Sequence, residues 1–597
     1  MSSIKTHFRI YLFLLLLLSI LKPDLNVVAT AGQSSRITKS FQTLSREEMY
    51  LHFDREKYIA GEDIWFSIYV TDRETGKLSS GSIIAYIELI SPWNVPVIQS
   101  RFQLMNGKGE GSFLLPDSVS SGTYFIRAYT NVMKNFLPGN CFMQDIDIYN
   151  PFKGPYFMKR EDSIASAGES FTLAGSGKTG RTTVTIPDSI FGRRQKVTLN
   201  LKIDNSIESR ERAAEFSISV VPAEFSYLNR ETDAVFIPGF QSSNNAKSAT
   251  SATQQYNYES DGHFLSFLVK YREGGKNDSS DCLYMSIQGK VAEFNYATRD
   301  SGGRFTSLLP VDSKLRNLVI QPEYATANMT LEIEPSFPRM LPETRSFREV
   351  LNDSLLKLFS GLSFNYQASK IYGTDLKREE EADEDSNLKR RRFYGIPEME
   401  IYLDDYIRLP DMQEVFFELL PGIIIKSGRT GYELKITNPL TGVFYEEPPL
   451  VMIDGVIINN LAVLVGLDPE QVERIEVVKT PYLIGDLILH GIVNVITRAG
   501  NFSSITMPDY SVILPYRVVE KPSVFIAPEY SDEQKRNGRI PDLRNTLYWN
   551  PSVKINSKGE ASVEFWTSDL PGYYTIDIKG IMGTGERISL YRNIIVR

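Results

Sequence analysis

The feature that most limits how this chain can fold is a series of short runs in which every second residue is apolar. In Ile64–Val70 the alternate residues are Ile, Phe and Val, which predicts a strand with one buried face. Gly, Asn and Pro separate this run from similar ones. Short strands with turns at this spacing predict an antiparallel sandwich over residues 43–150. The other predicted strands are Ile84–Leu89, Pro96–Gln103, Gly111–Leu115 and, after the Ser121-Gly122 turn, Tyr124–Tyr129.

Two segments of this region resemble the MG2 module of the α2-macroglobulin superfamily. The first is Tyr50–Val70 (YLHFDREKYIAGEDIWFSIYV), in which Tyr58, Gly61 and Glu62 match the module's pattern. The second is Ser121–Thr130, which ends in a Gly-x-Tyr-x-x-Arg-Ala-Tyr pattern. The resemblance implies that this region folds as a macroglobulin-type β-sandwich.

A second β module, which resembles the macroglobulin module MG3, is predicted over residues 151–240. Before it lies Gly175–Gly180 (GSGKTG), which is similar to a phosphate-binding loop. That loop requires Gly at the position of Thr172, and no strand–loop–helix pattern surrounds it. The sequence therefore predicts a solvent-exposed loop and argues against nucleotide binding. The predicted strands of the module are Thr182–Ile186, Lys196–Ile203 and Glu215–Val221.

Residues 241–256 are polar, which predicts a linker, and a third, Ig-like β module follows over 257–340. Its segment Ala297–Pro310 resembles carboxypeptidase-regulatory-like domains. Asp300 and Asp312 are conceivable calcium ligands, but isolated acids near turns more often form the turn itself. The predicted strands are Phe264–Tyr271, Cys282–Gln288, Lys290–Tyr296, Phe305–Leu309 and Asn317–Gln321.

Residues 341–395 are predicted to contain a helix and a charged linker. Thr344 can cap the helix, whose apolar stripe predicts packing on a neighbouring module, with a membrane-surface helix as the alternative. In Lys377–Arg392 an acidic block precedes a basic one. This pattern predicts a solvated linker, and a partner-docking segment is the alternative. The stripe consists of Phe347, Val350, Leu351, Leu355 and Leu358.

Pro448–Gly500 has the pattern of a small α+β unit of three strands and a short helix. Asp454-Gly455 suits a tight turn because Gly tolerates positive φ. Asp468 followed by Pro469 predicts a helix start. The stretch contains no nucleophile–base pair and no metal cluster, so we expect it to bind or plug something. The predicted strands are Leu450–Ile453, Arg474–Lys479 and Gly491–Arg498.

The wider segment 396–500 resembles the plug domain of TonB-dependent outer-membrane receptors. Asp411 can cap a helix that ends at Leu420-Pro421-Gly422, and the strand patterns then follow in the order of the plug. The sequence departs from the plug at Leu434–Thr437, which replaces an Ile-Arg-Gly strand. It also departs where Tyr-Gly is extended to Tyr482 and Gly485. The matching strand segments are Leu450–Gly455, Val472–Val478 and Gly491–Thr497.

Residues 501–597 are too few for a receptor barrel of roughly twenty strands at ~10 residues each. Instead, Asn545–Gly580 resembles a macroglobulin-type module with a hairpin turn at Asn556–Gly559. The whole arrangement resembles exported Bacteroidota proteins with macroglobulin modules at both ends. The predicted fold class is multidomain and mainly β, with Ig-like or macroglobulin sandwiches and one α+β plug-like domain. The predicted strands of the last module are Val553–Ile555, Ala561–Phe565 and Tyr573–Lys579.

The first residues have the pattern of an export signal. Lys5, His7 and Arg9 precede the apolar run Ile10–Leu21, which is too short to span a bilayer and fits a signal peptide. We expect cleavage near Ala31, giving a signal peptide over 1–31, with an uncleaved anchor as the alternative. No later stretch is apolar enough for a transmembrane helix. These observations predict location in the periplasm or at the outer membrane.

Charge and cysteine content exclude some partners. The net charge of −8 argues against nucleic acid as a partner. Cys141 is the first cysteine, so no acceptor for a lipoprotein anchor precedes it, and a disulfide with Cys282 stays open. Neither cysteine is followed by Gly-Glu-Gln, which excludes the thioester of protease-trapping macroglobulins.

No catalytic, cofactor or metal site is predicted. The four histidines, His7, His52, His263 and His490, belong to no metal or nucleophile motif. The adjacent acids Asp404-Asp405 and Glu446-Glu447 would point to opposite faces of a strand and cannot form an acid–base pair there.

Three functions remain open, and the favoured one is a non-enzymatic envelope protein that binds protein partners, accessory to outer-membrane transport. A glycan or small-ligand module is the alternative if a cleft forms around Trp65, Trp93, Trp549 or Trp566. An enzyme has no candidate site. A barrel-less receptor component that contacts TonB is a further alternative, although no TonB-box segment is visible. The oligomeric state is left open.

Overall fold

The computed structural model shows two compact units. The smaller unit comprises Tyr394–Ile453 and Ile457–Ala499. The larger unit comprises the described residues up to Phe393 together with Asp454–Val456 and Gly500–Arg597. The predicted signal peptide and nearly all of the predicted linker 241–256 lie outside the described residues. The described residues are 46–153, 158–159, 178–179, 182–203, 214–225, 256–271, 282–323, 329–339, 348–349, 353–372, 379–380, 391–428, 431–502, 505–507 and 510–597.

Residues 46–150 form a two-sheet sandwich, which we call the N-terminal sandwich. The alternation of Ile64–Val70 places Ile64, Phe66 and Ile68 in its core. Trp65 and Tyr69 on the opposite face are also buried, because a second sandwich packs against them. The predicted half-buried strand is therefore buried on both faces. The first sheet consists of Glu47–Phe53, Asp63–Asp72 and Lys108–Leu114. The second consists, in order, of Lys57–Ile59, Phe142–Tyr149, Gly122–Thr130, Ile84–Ile90 and Pro96–Gln103.

The third predicted module forms the middle sandwich, to which a later strand is added. Val512–Tyr516 pairs antiparallel with Arg316–Pro322, although the sequence places it in the last module. The first sheet contains Arg304–Leu309, His263–Tyr271 and Met329–Ile333, and the second contains Glu293–Thr298, Cys282–Ile287, Arg316–Pro322 and Val512–Tyr516.

Strands from the predicted second and last modules share two sheets and form one C-terminal sandwich. Lys196–Ile203 pairs with Glu560–Trp566, and Ala214–Pro222 lies between Tyr548–Lys554 and Gly572–Met582. The prediction of two separate modules is wrong here, because alternation reveals which face of a strand is buried and not which strand it pairs with. The first sheet consists, in order, of Lys178–Thr179, Thr182–Thr185, Lys196–Ile203 and Glu560–Trp566. The second consists, in order, of Ile190–Phe191, Arg587–Val596, Gly572–Met582, Ala214–Pro222 and Tyr548–Lys554.

The long helix of the larger unit is Asp353–Tyr372. The predicted cap Thr344 and the first three residues of the predicted stripe lie outside the described residues. Arg348–Glu349 is a short strand paired with Met158–Lys159, so the predicted helix start is wrong. The backbone there is already hydrogen-bonded in an antiparallel ladder.

One face of this helix packs on the N-terminal sandwich, and Leu358 is the one residue of the predicted stripe whose side chain the structure describes there. Phe359 and Leu362 form a cluster with Ile59 and Phe225, and Leu358 packs against it. Among the described helices, none is long and apolar enough to cross a membrane. In the charged stretch, the described strand Glu379–Glu380 pairs with Ser523–Val524, and residues 381–390 lie outside the described part.

The smaller unit is built on one five-stranded mixed sheet. Val472–Val478 and Ile492–Thr497 are antiparallel, while Leu450–Ile453 runs parallel to Ile492–Thr497. The three strands predicted within Pro448–Gly500 are all present. The sheet order is Met399–Tyr402, Val472–Val478, Ile492–Thr497, Leu450–Ile453 and Val456–Ile457.

Two predicted helix caps of the smaller unit are confirmed. Asp411 accepts a hydrogen bond from Glu414 N at the start of helix Met412–Leu419. Asp468 accepts one from Glu470 N, but the helix that follows is a single 3₁₀ turn. Two hairpins complete the unit, Ile423–Gly428 with Gly431–Ile436 and Tyr482–Ile484 with Leu487–Leu489. The remaining helical segments of the described chain are Val132–Phe136, Ala223–Phe225, Leu403–Asp405, Ala462–Val465, Pro469–Gln471 and Glu533–Arg536.

Candidate functional site

A set of buried polar side chains joins the N-terminal and C-terminal sandwiches within the larger unit. Two of its residues directly follow strand Glu47–Phe53, one directly precedes strand Asp63–Asp72, and two precede strand Tyr548–Lys554. We call this set the polar junction. It consists of Asp54, Arg55, Glu62, Asn545 and Thr546.

Besides a long hydrogen bond from Arg55 Nε, the Asp54 carboxylate accepts three hydrogen bonds. The donors are Tyr58 Oη at 2.8 Å, Trp65 N at 3.0 Å and Thr546 Oγ1 at 2.6 Å. Burial raises the pKa of Asp54 above its ordinary value, although Arg55 and the hydrogen bonds oppose the rise. The carboxylate is thus held in place by parts of the chain far apart in sequence.

Arg55 lies between two carboxylates. Its Nη1 is 3.0 Å from Glu62 Oε2, and its Nε is 3.4 Å from Asp54 Oδ2. Nε also donates to Thr546 Oγ1 at 3.0 Å, and the guanidinium stacks over the Tyr58 ring. A cation with both neighbours charged and buried is expensive to remove, because each carboxylate would lose its counter-charge.

Glu62 and Asn545 extend the junction to the long helix. Glu62 accepts from Ile59 N at 2.7 Å through Oε2 and from Asn545 Nδ2 at 2.7 Å through Oε1. Asn545 Nδ2 also donates to Leu362 O at 3.2 Å, and Asn365 Nδ2 donates to Asn545 Oδ1 at 3.1 Å. The junction therefore fixes the helix against both sandwiches.

The residues that carry the macroglobulin resemblance have structural roles at this junction. Tyr58 binds Asp54 and Arg55 O, and Glu62 binds Arg55. Gly61 has a φ of +92°, and its carbonyl accepts from Tyr366 Oη at 2.8 Å. Asp54 and Arg55 were not predicted from the sequence as functional residues, and the available signal was a charged pair directly after the buried strand Glu47–Phe53.

A cavity of about 90 Å³ opens beside the junction. Arg55, Glu62 and the buried Arg544 lie at its base, while Leu114 and Lys370 form an exposed rim. The cavity therefore borders charged groups that are otherwise enclosed.

A second buried set between the sandwiches resembles a catalytic triad. His52 Nδ1 is 2.6 Å from Ser217 Oγ, and His52 Nε2 is 3.3 Å from Asp577 Oδ2. Burial alone would raise the pKa of Asp577, but Lys579 and His52 lower it below its ordinary value. Ser217 is 0% exposed and also contacts Tyr69 Oη at 2.9 Å, so a substrate cannot approach its hydroxyl. The arrangement holds two sandwiches together.

A third buried set joins the N-terminal and middle sandwiches. His263 is 2.9 Å from Glu259 through Nδ1 and 2.6 Å from Tyr516 Oη through Nε2. Tyr86 Oη donates to both Glu259 oxygens, and the Lys134 ammonium lies 3.7 Å from the centre of the Tyr86 ring. Burial lowers the pKa of His263 below its ordinary value and that of Lys134 to about 7.

The four tryptophans pack in different surroundings. Trp65 lines the cavity and contacts the Phe525 ring, whereas Trp549 contacts the His52 ring and Trp566 the Tyr530 ring. Trp93 is 57% exposed in the turn after strand Ile84–Ile90.

The acids considered as calcium ligands form turns. Asp300 Oδ1 accepts from Gly302 N and Arg304 N, and Asp312 accepts from Lys314 N and Arg316 Nε. In the part of the chain that the structure describes, no group of three or more His, Cys, Asp or Glu side chains could hold a metal ion.

The other residues that the sequence singled out as possible site residues lie in separate parts of the structure. Asp404 binds Arg498 at 2.6 Å and Glu447 lies 3.5 Å from His490. Cys141 and Cys282 are not joined by a disulfide. Of the GSGKTG segment only Lys178–Thr179 is described, as a strand paired with Thr182–Thr183.

Comparison with solved structures returns bacterial α2-macroglobulins. Escherichia coli α2-macroglobulin activated by porcine elastase is 12% identical with a TM-score of 0.24, and the match covers 92% of this chain and 44% of that one. The native E. coli protein is 11% identical with a TM-score of 0.24 (96% and 40% covered). Salmonella α2-macroglobulin reacted with methylamine is 10% identical with a TM-score of 0.23 (93% and 39% covered).

This chain therefore spans less than half the length of those proteins. No protein-family model and no curated protein matches the chain. The mainly β, multidomain architecture rests on the sheets described above.

Proposed function

We propose that this chain is a non-enzymatic protein of the cell envelope that binds a protein partner through its smaller unit. The observation that carries the proposal is a group of exposed apolar side chains along one edge of that unit. We call this group the apolar edge. It consists of Leu440, Val443, Phe444, Leu483 and Ile488.

Two of these side chains are direct neighbours on a hairpin. Leu483 pairs with Ile488 across the antiparallel ladder, so both project from the same face. They are 67% and 52% exposed. An apolar cross-strand pair that faces solvent stabilises the hairpin little and provides area for a partner.

The other three side chains lie in a loop next to this hairpin. Leu440 and Val443 are 86% and 66% exposed, and Phe444 lies under the Lys426 ammonium. Tyr445 connects the bases of loop and hairpin, because its ring centre lies 5.5 Å from that of His490 and its hydroxyl donates to Lys479 O at 3.1 Å. The five residues thus belong to one edge, of the kind that marks a protein-interaction site.

Sequence features support the location and the class of partner. The resemblance of residues 396–500 to receptor plugs supports an outer-membrane protein as the partner, in an accessory role in transport. The apolar run Ile10–Leu21 supports export by a signal peptide. Macroglobulin-type modules before and after a plug-like segment in the sequence, as in exported Bacteroidota proteins, support the same role.

Crosslinking in native cells tests the proposal with three forms of the full chain. The edge variant carries Leu440→Ser, Leu483→Ser and Ile488→Ser. The control variant carries Val95→Ser and Met105→Ser, which replace exposed apolar residues of the N-terminal sandwich. We expect the wild type and the control to recover the same outer-membrane protein, and the edge variant to recover at least tenfold less. No such protein above background, or equal recovery by the edge variant, contradicts the proposal.

A further inference from the structure

Arg544 is a buried arginine whose hydrogen bonds are incomplete. Its side chain is 2% exposed, and its Nη2 donates to Trp566 O at 2.5 Å. Nε and Nη1 have no hydrogen-bond acceptor. Asp542 Oδ2 lies 3.4 Å from Nη1, but it accepts its hydrogen bond from Tyr530 Oη at 2.8 Å. Asp542 therefore offsets part of the charge of Arg544 and leaves its donors unsatisfied.

Unsatisfied buried donors are rare in folded proteins, and each calls for an explanation such as an ion or a ligand. Arg544 lines the cavity of about 90 Å³ beside the polar junction. The rim of that cavity is open at Leu114, which is 54% exposed, so a solute can enter. Arg544 is therefore a cationic residue of the cavity lining whose donors still need an acceptor.

The cavity lining itself has one more cationic side chain than carboxylates, with Asp54 next to Arg55 and Asp542 next to Arg544. Three lining side chains are cationic, Arg55, Lys370 and Arg544, and two are carboxylates, Glu62 and Asp63. Glu62 is fully engaged, because Oε2 binds Arg55 and Ile59 N and Oε1 binds Asn545. It is thus not available to Arg544.

We propose that this cavity is an anion-binding site in which Arg544 binds a carboxylate. Guanidinium groups bind carboxylates through charge-assisted hydrogen bonds, which are about twice as strong as neutral ones. The cavity has room for a carboxylate with a short carbon chain. The ligand is either a small organic acid or the carboxyl end of a peptide. This site lies within the larger unit and is independent of the apolar edge.

Acetate tests whether the cavity binds a carboxylate, the group that both possible ligands share. Sodium acetate is titrated into the full chain at constant ionic strength, with sodium chloride as the reference, while the unfolding temperature is measured. We expect a saturable rise with acetate and none with chloride. Arg544→Met should abolish the rise, whereas Arg587→Met should retain it, because Arg587 binds Glu48 outside the cavity. An equal effect of chloride, or a rise retained in Arg544→Met, overturns the proposal and indicates a water-filled cavity.

A second variant covers the case in which Arg544→Met does not fold. Leu114→Trp adds bulk at the exposed rim and leaves every charged group in place. We expect it to weaken acetate binding at least tenfold, and unchanged binding overturns the proposal. Peptides with free and with amidated C-termini then identify the source of the ligand. Tighter binding of the free-acid peptide than of acetate identifies a peptide carboxylate, and weaker binding identifies a small acid.

Discussion

The polar junction of the larger unit and the apolar edge of the smaller unit present opposite chemistry. In the junction, charged side chains are buried and Arg55 has counter-charges at 3.0 and 3.4 Å. In the edge, Leu440 and Leu483 are apolar and mostly exposed. Each region reverses the usual distribution of polar and apolar side chains.

This difference indicates that the polar junction serves the stability of the fold and the apolar edge serves binding. Buried charges must find partners within the chain, so they make the relative position of the two sandwiches specific. Exposed apolar groups contribute little to folding and gain free energy only when a partner covers them. We therefore expect substitutions in the junction to change stability and substitutions in the edge to change association.

Removal of Arg55 should lower the free energy of unfolding more than any of the other substitutions below. Arg55→Met leaves Asp54 and Glu62 buried without their cation, and the free energy of unfolding should fall by about 3–5 kcal/mol. Arg408→Met is the control, because Arg408 forms an exposed ion pair with Glu470 in the smaller unit and should cost about 0–1 kcal/mol. Urea denaturation measures both. Similar losses in the two variants would refute the distinction.

Loss of the Thr546 hydroxyl should have an intermediate effect. Thr546→Val keeps the shape but removes the donor to Asp54 and the acceptor for Arg55, which should cost about 1–3 kcal/mol. Thr546→Ser keeps the hydroxyl and should recover most of the loss. Chemical denaturation checks the order of the three proteins, and a Ser variant as unstable as the Val variant would disprove the role of the hydroxyl.

Lys134 should make stability depend on pH. Burial lowers its pKa from 10.5 to about 7, so the folded state binds fewer protons than the unfolded state between these values. The part of the free energy of unfolding that depends on Lys134 is therefore largest above pH 10.5. It falls as the pH decreases towards 7, with a slope of up to about 1.4 kcal/mol per pH unit. Denaturation at pH 7, 8 and 9 should show this slope, and Lys134→Met should flatten it. An equal slope in the variant would exclude Lys134 as its source.

Substitution of the apolar edge should have the smallest effect on stability. Leu483→Ser with Ile488→Ser removes exposed apolar area, so the free energy of unfolding should change by less than about 0.5 kcal/mol. Thermal unfolding checks this expectation. A loss of several kcal/mol would mean that the two side chains are part of a core, and the edge would lose its interpretation as a binding surface.

The sequence predicted local structure well where the cause is local. The alternation of Ile64–Val70 and the caps at Asp411 and Asp468 depend on neighbouring residues, and the structure has all three. The helix start at Thr344 was wrong because the following backbone pairs with Met158–Lys159. A partner distant in sequence overrode the local signal.

The candidate site could not be predicted for the same reason. Arg55 and Thr546 lie 491 positions apart, and nothing near Arg55 indicates that a hydroxyl from the end of the chain will bind it. The pairing of Ala214–Pro222 with Gly572–Met582 is equally invisible in the sequence, because many strands have the same alternation. The apolar edge also escaped prediction, since exposure depends on what the rest of the fold leaves uncovered.

The pairing within the C-terminal sandwich has a consequence for synthesis. Ala214–Pro222 hydrogen-bonds only to Tyr548–Lys554 and Gly572–Met582 among the described strands, so it has neither neighbour when it leaves the ribosome. At ~5–20 residues per second, its partners follow on the order of tens of seconds later. During that interval the strand exposes two unpaired edges, and a chaperone that holds extended chains would protect it from aggregation.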